Sequence, residues 1–387
     1  MFRFIHTSDW HLGRQLYGKS LLEDQAWILE RLTELIDAVR PHAFLIAGDV
    51  FDRPLPPEAA ITLFDRFLTE VTGKRNIPVF LIPGNHDSCE RLGFASELLR
   101  DRGVTIFSKV EDALAPVSVK GDDGVEALIY GIPFVEPFEI ERALGRDDLE
   151  TPEAALEALC TEILKQKSQP FPSVLLCHAL VVGGETSESE RDIFIGGSAS
   201  VHPRIFSGFT YTALGHLHKP QRAGSDTIRY SGSLLPYSKS EASHEKSVNE
   251  VRLHNSGEVE VITHRLNPLR RLRYIEGELI TLLKEAENDS ARDDYIIAGL
   301  TDKDAVLDAF AKLNHFYPRL LHISRVVKAD SPELNFAQER VREMEAMNDL
   351  ELFADFFQSI TGTPMDENER QIITEVLADL EREERAV

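Results

Sequence analysis

Through the first half of the chain, short and almost wholly apolar runs alternate with longer stretches whose apolar residues recur every three or four positions. Residues 3–5, 43–47, 79–82 and 174–176 are too short and too apolar for surface helices, and each reads as a buried strand. Between them, 21–39 and 57–71 carry apolar side chains at helical spacing. Pro56-Pro57 marks the start of the second helix, because a proline ring is tolerated in a first turn. Strand–helix–strand alternation predicts an α/β layered domain. Farther on, 211–214, 227–230, 248–253 and 259–265 read as strands, the last two joined by a turn at His254-Asn255-Ser256-Gly257. Pro268 is a boundary. Beyond it, 272–276, 279–287, 295–299, 302–313 and 320–326 read as strand, helix, strand, helix, strand, a small α+β module.

From Ser331 the pattern changes again. Leu350, Leu352, Phe353, Phe356, Phe357 and Ile360 recur at helical spacing, as do Ile372, Ile373, Val376, Leu377 and Leu380, with Gly362 and Pro364 between them. Two such amphipathic helices either pack on their own domain or offer a docking face to a partner. The expected division is therefore 1–267, 268–330 and 331–387.

The length of 387 residues suits two domains and a small third piece, at roughly 100–200 residues per domain. With 42% hydrophobic and 28% charged residues, disorder and collagen-like repeats are excluded. No apolar run is long enough to span a membrane, and the first residues are too polar for a signal peptide. Cys89, Cys160 and Cys177 include no close pair, so a reducing, cytoplasmic setting is expected. A net charge of −23 argues against coating nucleic acid by bulk electrostatics. It leaves room for an enzyme that meets phosphates at a metal site and for a partner that supplies basic surface. The acid is concentrated in 331–387, which holds 15 acidic and 5 basic side chains.

Five short segments follow predicted strands: Asp9-Trp10-His11, Gly48-Asp49-Val50-Phe51-Asp52, Gly84-Asn85-His86-Asp87, His178, and Gly215-His216-Leu217-His218. Open α/β sheets place their sites at such strand ends, where the loops converge. Singly, each has a bland explanation: an accidental Asp-x-His pair, a turn at Gly-Asp, a satisfied buried histidine at 178. Five in this order, each after a strand, exceed what those explanations cover. Carboxylate, amide and imidazole donors together suit Mn²⁺, Fe²⁺ or Zn²⁺ better than a pure oxygen cage. Asp49, in the central motif, is the natural carboxylate to bridge two cations. Cys177, beside His178, reads as a strand-end core residue.

The joint pattern resembles the calcineurin-like binuclear metallophosphoesterase superfamily, which implies a double β-sheet sandwich flanked by helices. The resemblance also implies two divalent metal ions, Mn²⁺ by preference, one held by Asp9, His11, Asp49 and His218 and the other by Asp49, Asn85, His178 and His216. That superfamily includes phosphatases, cyclic-nucleotide phosphodiesterases and nucleases, so its fold leaves the substrate open. Finer stretches narrow it: His6-Thr7-Ser8-Asp9-Trp10-His11-Leu12-Gly13, Ala47-Gly48-Asp49-Val50-Phe51-Asp52, Arg191-Asp192-Ile193-Phe194-Ile195-Gly196, Ala213–His218 and Tyr230-Ser231-Gly232-Ser233. Over about residues 1–265 these are similar to the SbcD family of nuclease subunits, the bacterial branch of the double-strand-break repair nucleases. That resemblance implies a metal-dependent DNA nuclease, with 3'-to-5' double-strand exonuclease and single-strand or hairpin endonuclease activity, inside an ATP-dependent end-processing complex. The module at 268–330 would be a capping domain that helps hold DNA. The tail at 331–387 would dock on the coiled-coil base of an SbcC-type ABC ATPase, with two nuclease subunits forming a homodimer inside a heterotetramer.

In a two-metal site the cations acidify a water and clamp phosphoryl oxygens for in-line attack on the phosphodiester. His86, outside the implied ligand set, would stabilise or protonate the leaving oxygen. Asp52 would orient His86 through a ring N–H. Arg14, Tyr17, Lys19 and Arg53 follow the first two motifs and either grip DNA or are solvated loop residues. Arg191 and the Gly183-Gly184 loop would shape the DNA path. A non-catalytic assembly subunit is the contrasting reading, and the seven intact ligand positions together with His86 count against it. A phosphatase or small-molecule phosphodiesterase shares the metals but leaves 191–196 and the tail unexplained.

Overall fold

The computed structural model describes residues 1–167, 170–190, 200–254, 256–304 and 306–326, and in the tail 350, 353–354, 357–358, 363–366 and 369–374. Along the chain, β1 (Phe2–Thr7) leads into a hairpin, β2 (Gln15–Leu16) and β3 (Lys19–Ser20), then α1 (Leu22–Val39), β4 (Ala43–Ala47) and α2 (Glu58–Leu68). There follow β5 (Val79–Ile82), the short helices α3 (Cys89–Leu92) and α4 (Ser96–Arg100), β6 (Val104–Ile106), β7 (Val117–Lys120) and β8 (Glu126–Ile132). Next come α5 (Pro137–Leu144), α6 (Pro152–Gln166), β9 (Ser173–His178), β10 (Tyr211–Gly215), β11 (Gln221–Ala223), β12 (Ser225–Tyr230), β13 (Ser247–Leu253) and β14 (Val259–Arg265). The last elements are β15 (Leu272–Gly277), α7 (Leu279–Asn288), β16 (Tyr295–Leu300), α8 (Ala309–Phe316) and β17 (Leu320–Arg325). Two compact units result, Met1–Gly299 with Val306–Ile323, and Leu300–Ala305 with Ser324–Val387.

The first unit holds two six-stranded mixed sheets, ordered β14-β13-β1-β4-β5-β6 and β11-β12-β10-β9-β8-β7. Their central strands run parallel; antiparallel strands close both edges of the second sheet and the β14 edge of the first, while the β6 edge is parallel. A strand between two layers needs apolar residues on both faces, which is why the runs in the sequence are continuous rather than alternating. In β4, Ala43, Leu45 and Ala47 join Val174 and Leu176 of β9 in a core between the sheets. Phe44 and Ile46 point the other way and pack with Ile28 and Leu32 of α1 and Phe64 and Phe67 of α2. In β9, Leu175 and Cys177 join Leu159 and Ile163 of α6 on the opposite outer face. The result is helix, sheet, sheet, helix, each buried Leu, Ile or Phe contributing about 1.5–3 kcal/mol. Cys177 is buried in that outer layer, and burial pushes its thiol up to about 12.

Three strands, ordered β15-β16-β17, make a third sheet. One expectation is corrected here: 302–313 is not one helix, because Asp308 turns left-handed (φ 54°) and α8 begins only at Ala309. The structure also supplies β6, β7, β8, α5 and α6, for which the sequence pattern gave no expectation. In the tail, 350, 353–354, 357–358 and 369–374 are helical. Leu352, Phe356, Ile360, Val376, Leu377, Leu380 and Arg191 lie outside the described residues.

Candidate metal centre

All five motif segments leave the carboxyl ends of β1, β4, β5, β9 and β10, where the two sheets share a rim. Main-chain bonds fasten the first loop to the second: Asp9 N–H to Gly48 O at 3.1 Å, His11 N–H to Asp49 O at 3.0 Å and Leu12 N–H to Val50 O at 2.9 Å. Asp87 fastens the second to the third, its carboxylate accepting from the N–H groups of Val50, Phe51 and Gly84 at 2.9–3.0 Å. Two glycines make room. Gly48 has φ 89°, and a Cβ there would lie 2.3 Å from His178 Nδ1. A Cβ on Gly215 would lie 1.8 Å from the Ala47 carbonyl oxygen. Four of the expected ligand residues themselves sit at positive φ: Asp9 (53°), His11 (45°), Asp49 (51°) and His216 (105°). Non-glycine residues held this way cost about 1–3 kcal/mol each and collect at functional sites.

The seven expected ligands come together, and nearly all are buried. Donor atoms of Asp9, His11 and His218 lie within 4.8 Å of one another, as do those of Asp9, Asp49 and His178. Asp49 Oδ2 stands between the groups, 3.6 Å from His11 Nε2 and 3.5 Å from His178 Nε2. Asn85 Oδ1 is 2.9 Å from His178 Nε2. The His216 ring packs at 5.5 Å from that of His178, and its main-chain N–H donates to Asp9 Oδ1 at 2.9 Å.

These donors fit cations by their hydrogen-bond arithmetic. His178 gives its Nδ1–H to Ala47 O at 3.0 Å, so in the neutral ring Nε2 carries the lone pair; it faces Asn85 Oδ1, another acceptor. His218 Nδ1 meets Ser189 Oγ at 2.7 Å and Glu241 Oε1 at 3.2 Å, which leaves a lone pair on Nε2 in the neutral ring; burial would lower the His218 pKa, but the Glu241 carboxylate raises it above the usual value. His218 Nε2 lies 3.0 Å from His11 Nε2. Imidazole nitrogens with carboxylate and amide oxygens gathered this closely are a donor set that suits a divalent cation. Burial depresses the pKa of His178 and holds those of His11 and His216 far below the usual value, leaving the neutral imidazoles a cation requires. Burial also raises the Asp9 carboxyl to about 6, against the pull of His178 and His218.

His86 sits beside this group, its ring 4.6 Å from that of His11 and its N–H on Asp49 Oδ1 at 2.9 Å. It also stands within ligand distance of His11 and Asp49. The expected orienting contact is corrected in one respect: His86 Nδ1 meets the main-chain carbonyl of Asp52 at 2.8 Å. The Asp52 carboxylate instead accepts from Arg14 at 2.8 Å and lies 3.5 Å from His11 Nδ1. Burial would raise the Asp52 pKa, yet the His11 and Arg14 contacts hold it below the usual range.

The expected DNA contacts fare differently from one another. Arg14 is engaged by Asp52, whereas Lys19 and Arg53 are exposed. Tyr17, at φ 48° and half exposed, stacks on His322 with ring centroids 5.0 Å apart. Sequence reasoning missed Ser189, Glu190, Glu241 and Lys246, which hold His218 from behind. Only Asp87, inside a quoted motif, and Ser231 and Ser233, inside another, carried any signal.

The calcineurin-like phosphoesterase family model matches residues 2–220, and the model called type 5 capsule protein repressor C-terminal domain matches 265–361. A Staphylococcus epidermidis protein, named as the SbcD component of nuclease SbcCD, is 30% identical over 376 residues, covering 97% of this chain and 98% of that one. Among solved structures, a dimetal phosphatase from Danio rerio is 12% identical with a TM-score of 0.41, over 68% of this chain and 96% of that one. A Thermus thermophilus protein is 16% identical with a TM-score of 0.39, over 68% and 98% of the two chains. No helix among the described residues is long and apolar enough to cross a membrane.

Proposed function

From a chain that belongs to the calcineurin-like phosphoesterase family, and within it to the SbcD nuclease subunits, we propose a metal-dependent DNA exonuclease and endonuclease acting in a complex with an SbcC-type ABC ATPase. The observation that carries this reading is the gathering of donor atoms from Asp9, His11, Asp49, Asn85, His178 and His218 at one rim.

Asp9, His11, Asp49 and His218 would hold one cation, and Asp49, Asn85, His178 and His216 the other, with Asp49 shared. Two bound divalent ions, Mn²⁺ in this reading, supply Lewis-acid polarisation of the phosphoryl oxygens and lower the pKa of water. The chain's own residues do the rest. The buried imidazoles of His178 and His218 fix donor directions through Nδ1 contacts on their far sides. His86, its Nδ1 on the Asp52 carbonyl, would stabilise or protonate the leaving oxygen of the phosphodiester. Arg14 holds Asp52, and so holds the carbonyl that aims His86. Lys19 and Arg53 grip backbone phosphates, and Tyr17 offers a face for an unpaired base. Residues 268–330 serve as the cap on DNA and the acidic tail as the docking segment for the ATPase, two nuclease subunits pairing within a heterotetramer.

The test is hydrolysis of a hairpin-ended duplex with Mn²⁺, by the unsubstituted chain and by His86→Ala, each with and without the ATPase and ATP. Cleavage that disappears in the variant supports a nuclease with His86 in the catalytic role. No cleavage under any condition, with two metals bound, would move the assignment to another phosphoester.

A further inference from the structure

His178 and His218 face the cluster with the same nitrogen, yet they are held from behind in opposite ways. Behind His178 is a neutral group, the Ala47 carbonyl at 3.0 Å. Behind His218 is a charged one. Glu241, fully buried, receives the His218 ring at Oε1, together with the Tyr237 N–H at 3.2 Å, the Ser238 hydroxyl at 3.1 Å and the Ser189 hydroxyl. Its other oxygen accepts from Ser233 at 3.3 Å and from Lys246. Lys246, 5% exposed, also donates to Ser233 Oγ at 2.8 Å and to the His218 carbonyl at 2.9 Å. Glu190 Oε1 takes the His218 N–H at 2.7 Å. Every polar atom of His218 except Nε2 is thus fixed by side chains of this knot.

A buried ion pair is weak support for stability, since apolar residues of similar volume usually serve as well. Its position against one metal-facing histidine and not the other calls for a different reason. A carboxylate on the far N–H fixes the ring and raises the donor strength of Nε2 more than a neutral carbonyl does. We propose that Glu241, steadied by Lys246, is a positioning residue that makes the cation position at Asp9, His11 and His218 tighter than the one at Asn85 and His178, so that the two cations load in order. This inference rests on the metal reading above.

Isothermal titration with Mn²⁺, paired with Mn²⁺ electron paramagnetic resonance, tests it on the full chain after chelation. Asn85→Ala leaves the His218 position; adding Glu241→Gln is expected to weaken that position about 10- to 100-fold. His218→Ala leaves the His178 position, where adding Glu241→Gln is expected to change affinity by less than about twofold. Because Glu241→Gln strands Lys246, Glu241→Gln with Lys246→Met provides an uncharged knot. The same contrast is expected there, with the melting curve of the metal-free protein as control for folding. Equal weakening in both backgrounds, or none in either, overturns the inference while leaving the metal reading intact. An unsubstituted chain that binds no Mn²⁺ overturns that reading itself.

Discussion

The core between the two sheets and the rim of loops above it are built from the same strands by opposite rules. In the core, Leu45, Phe80 and Leu176 lie on regular extended backbone, and what matters is apolar volume in the right register. At the rim, a few residues farther along those strands, Asp9, His11, Asp49 and His216 turn to positive φ and gather polar side chains around one point. Each such residue costs about 1–3 kcal/mol. Each buried core side chain returns about 1.5–3 kcal/mol. The difference teaches that the sandwich is the anchor for loops that would not hold their shape alone, and that substitutions in the two regions should separate stability from chemistry.

The sharpest break comes where the regions touch. Gly215 ends β10, and a Cβ there would meet the Ala47 carbonyl at 1.8 Å, forcing the sheets apart at the rim. Gly215→Ala is expected to cost more than about 4 kcal/mol in urea unfolding, in the range reserved for such buried collisions. A midpoint matching the unsubstituted chain would mean the two sheets approach less closely than described. Next in size is His86→Ala, on the rim alone. Hydrolysis should fall by about 10²- to 10⁴-fold, the usual weight of a general acid, with two metals still bound by elemental analysis. Loss of metal would instead place His86 among the ligands, a role its distance to His11 and Asp49 allows.

Leu176→Ala tests the core alone. It should remove about 2–5 kcal/mol of stability through reduced burial and a cavity. The hydrolysis rate per folded molecule should be unchanged. A large fall in rate at full folding would show that core packing positions His178, two residues on.

How much of this was legible in the sequence follows the same divide. Both kinds of region leave local marks where one strand and its loop suffice: continuous apolar runs at 43–47 and 174–176, and glycine-turned polar clusters directly after them. The residues gathered at the rim were therefore marked in the sequence. What did not come through depends on distant chain meeting distant chain. Glu241 and Lys246 lie in an ordinary-looking Ser- and Lys-rich stretch, and only the fold brings them behind His218. The Asp52 carbonyl, rather than its carboxylate, reaches His86 because Arg14 draws the carboxylate away, a competition that spacing cannot express. The helix over-read at 302–308 failed because Asp308 adopts αL, a conformation Asp tolerates and periodicity does not register.

The smallest expected effect divides the rim itself. Arg14, Lys19 and Arg53 look equivalent in the sequence as cations near a phosphate site, but Arg14 is committed to Asp52 while the other two are exposed. Lys19→Ala with Arg53→Ala should weaken DNA binding only a few-fold. It should also flatten the slope of log affinity against log salt by about 2, roughly one unit for each cation that no longer meets a phosphate. Arg14→Ala should leave that slope near its original value and lower hydrolysis instead, because freeing the Asp52 carboxylate loosens the carbonyl that aims His86. If Arg14→Ala flattened the slope and spared hydrolysis per bound metal, Arg14 would join the DNA contacts, and the aim of His86 would not depend on the Arg14–Asp52 pair.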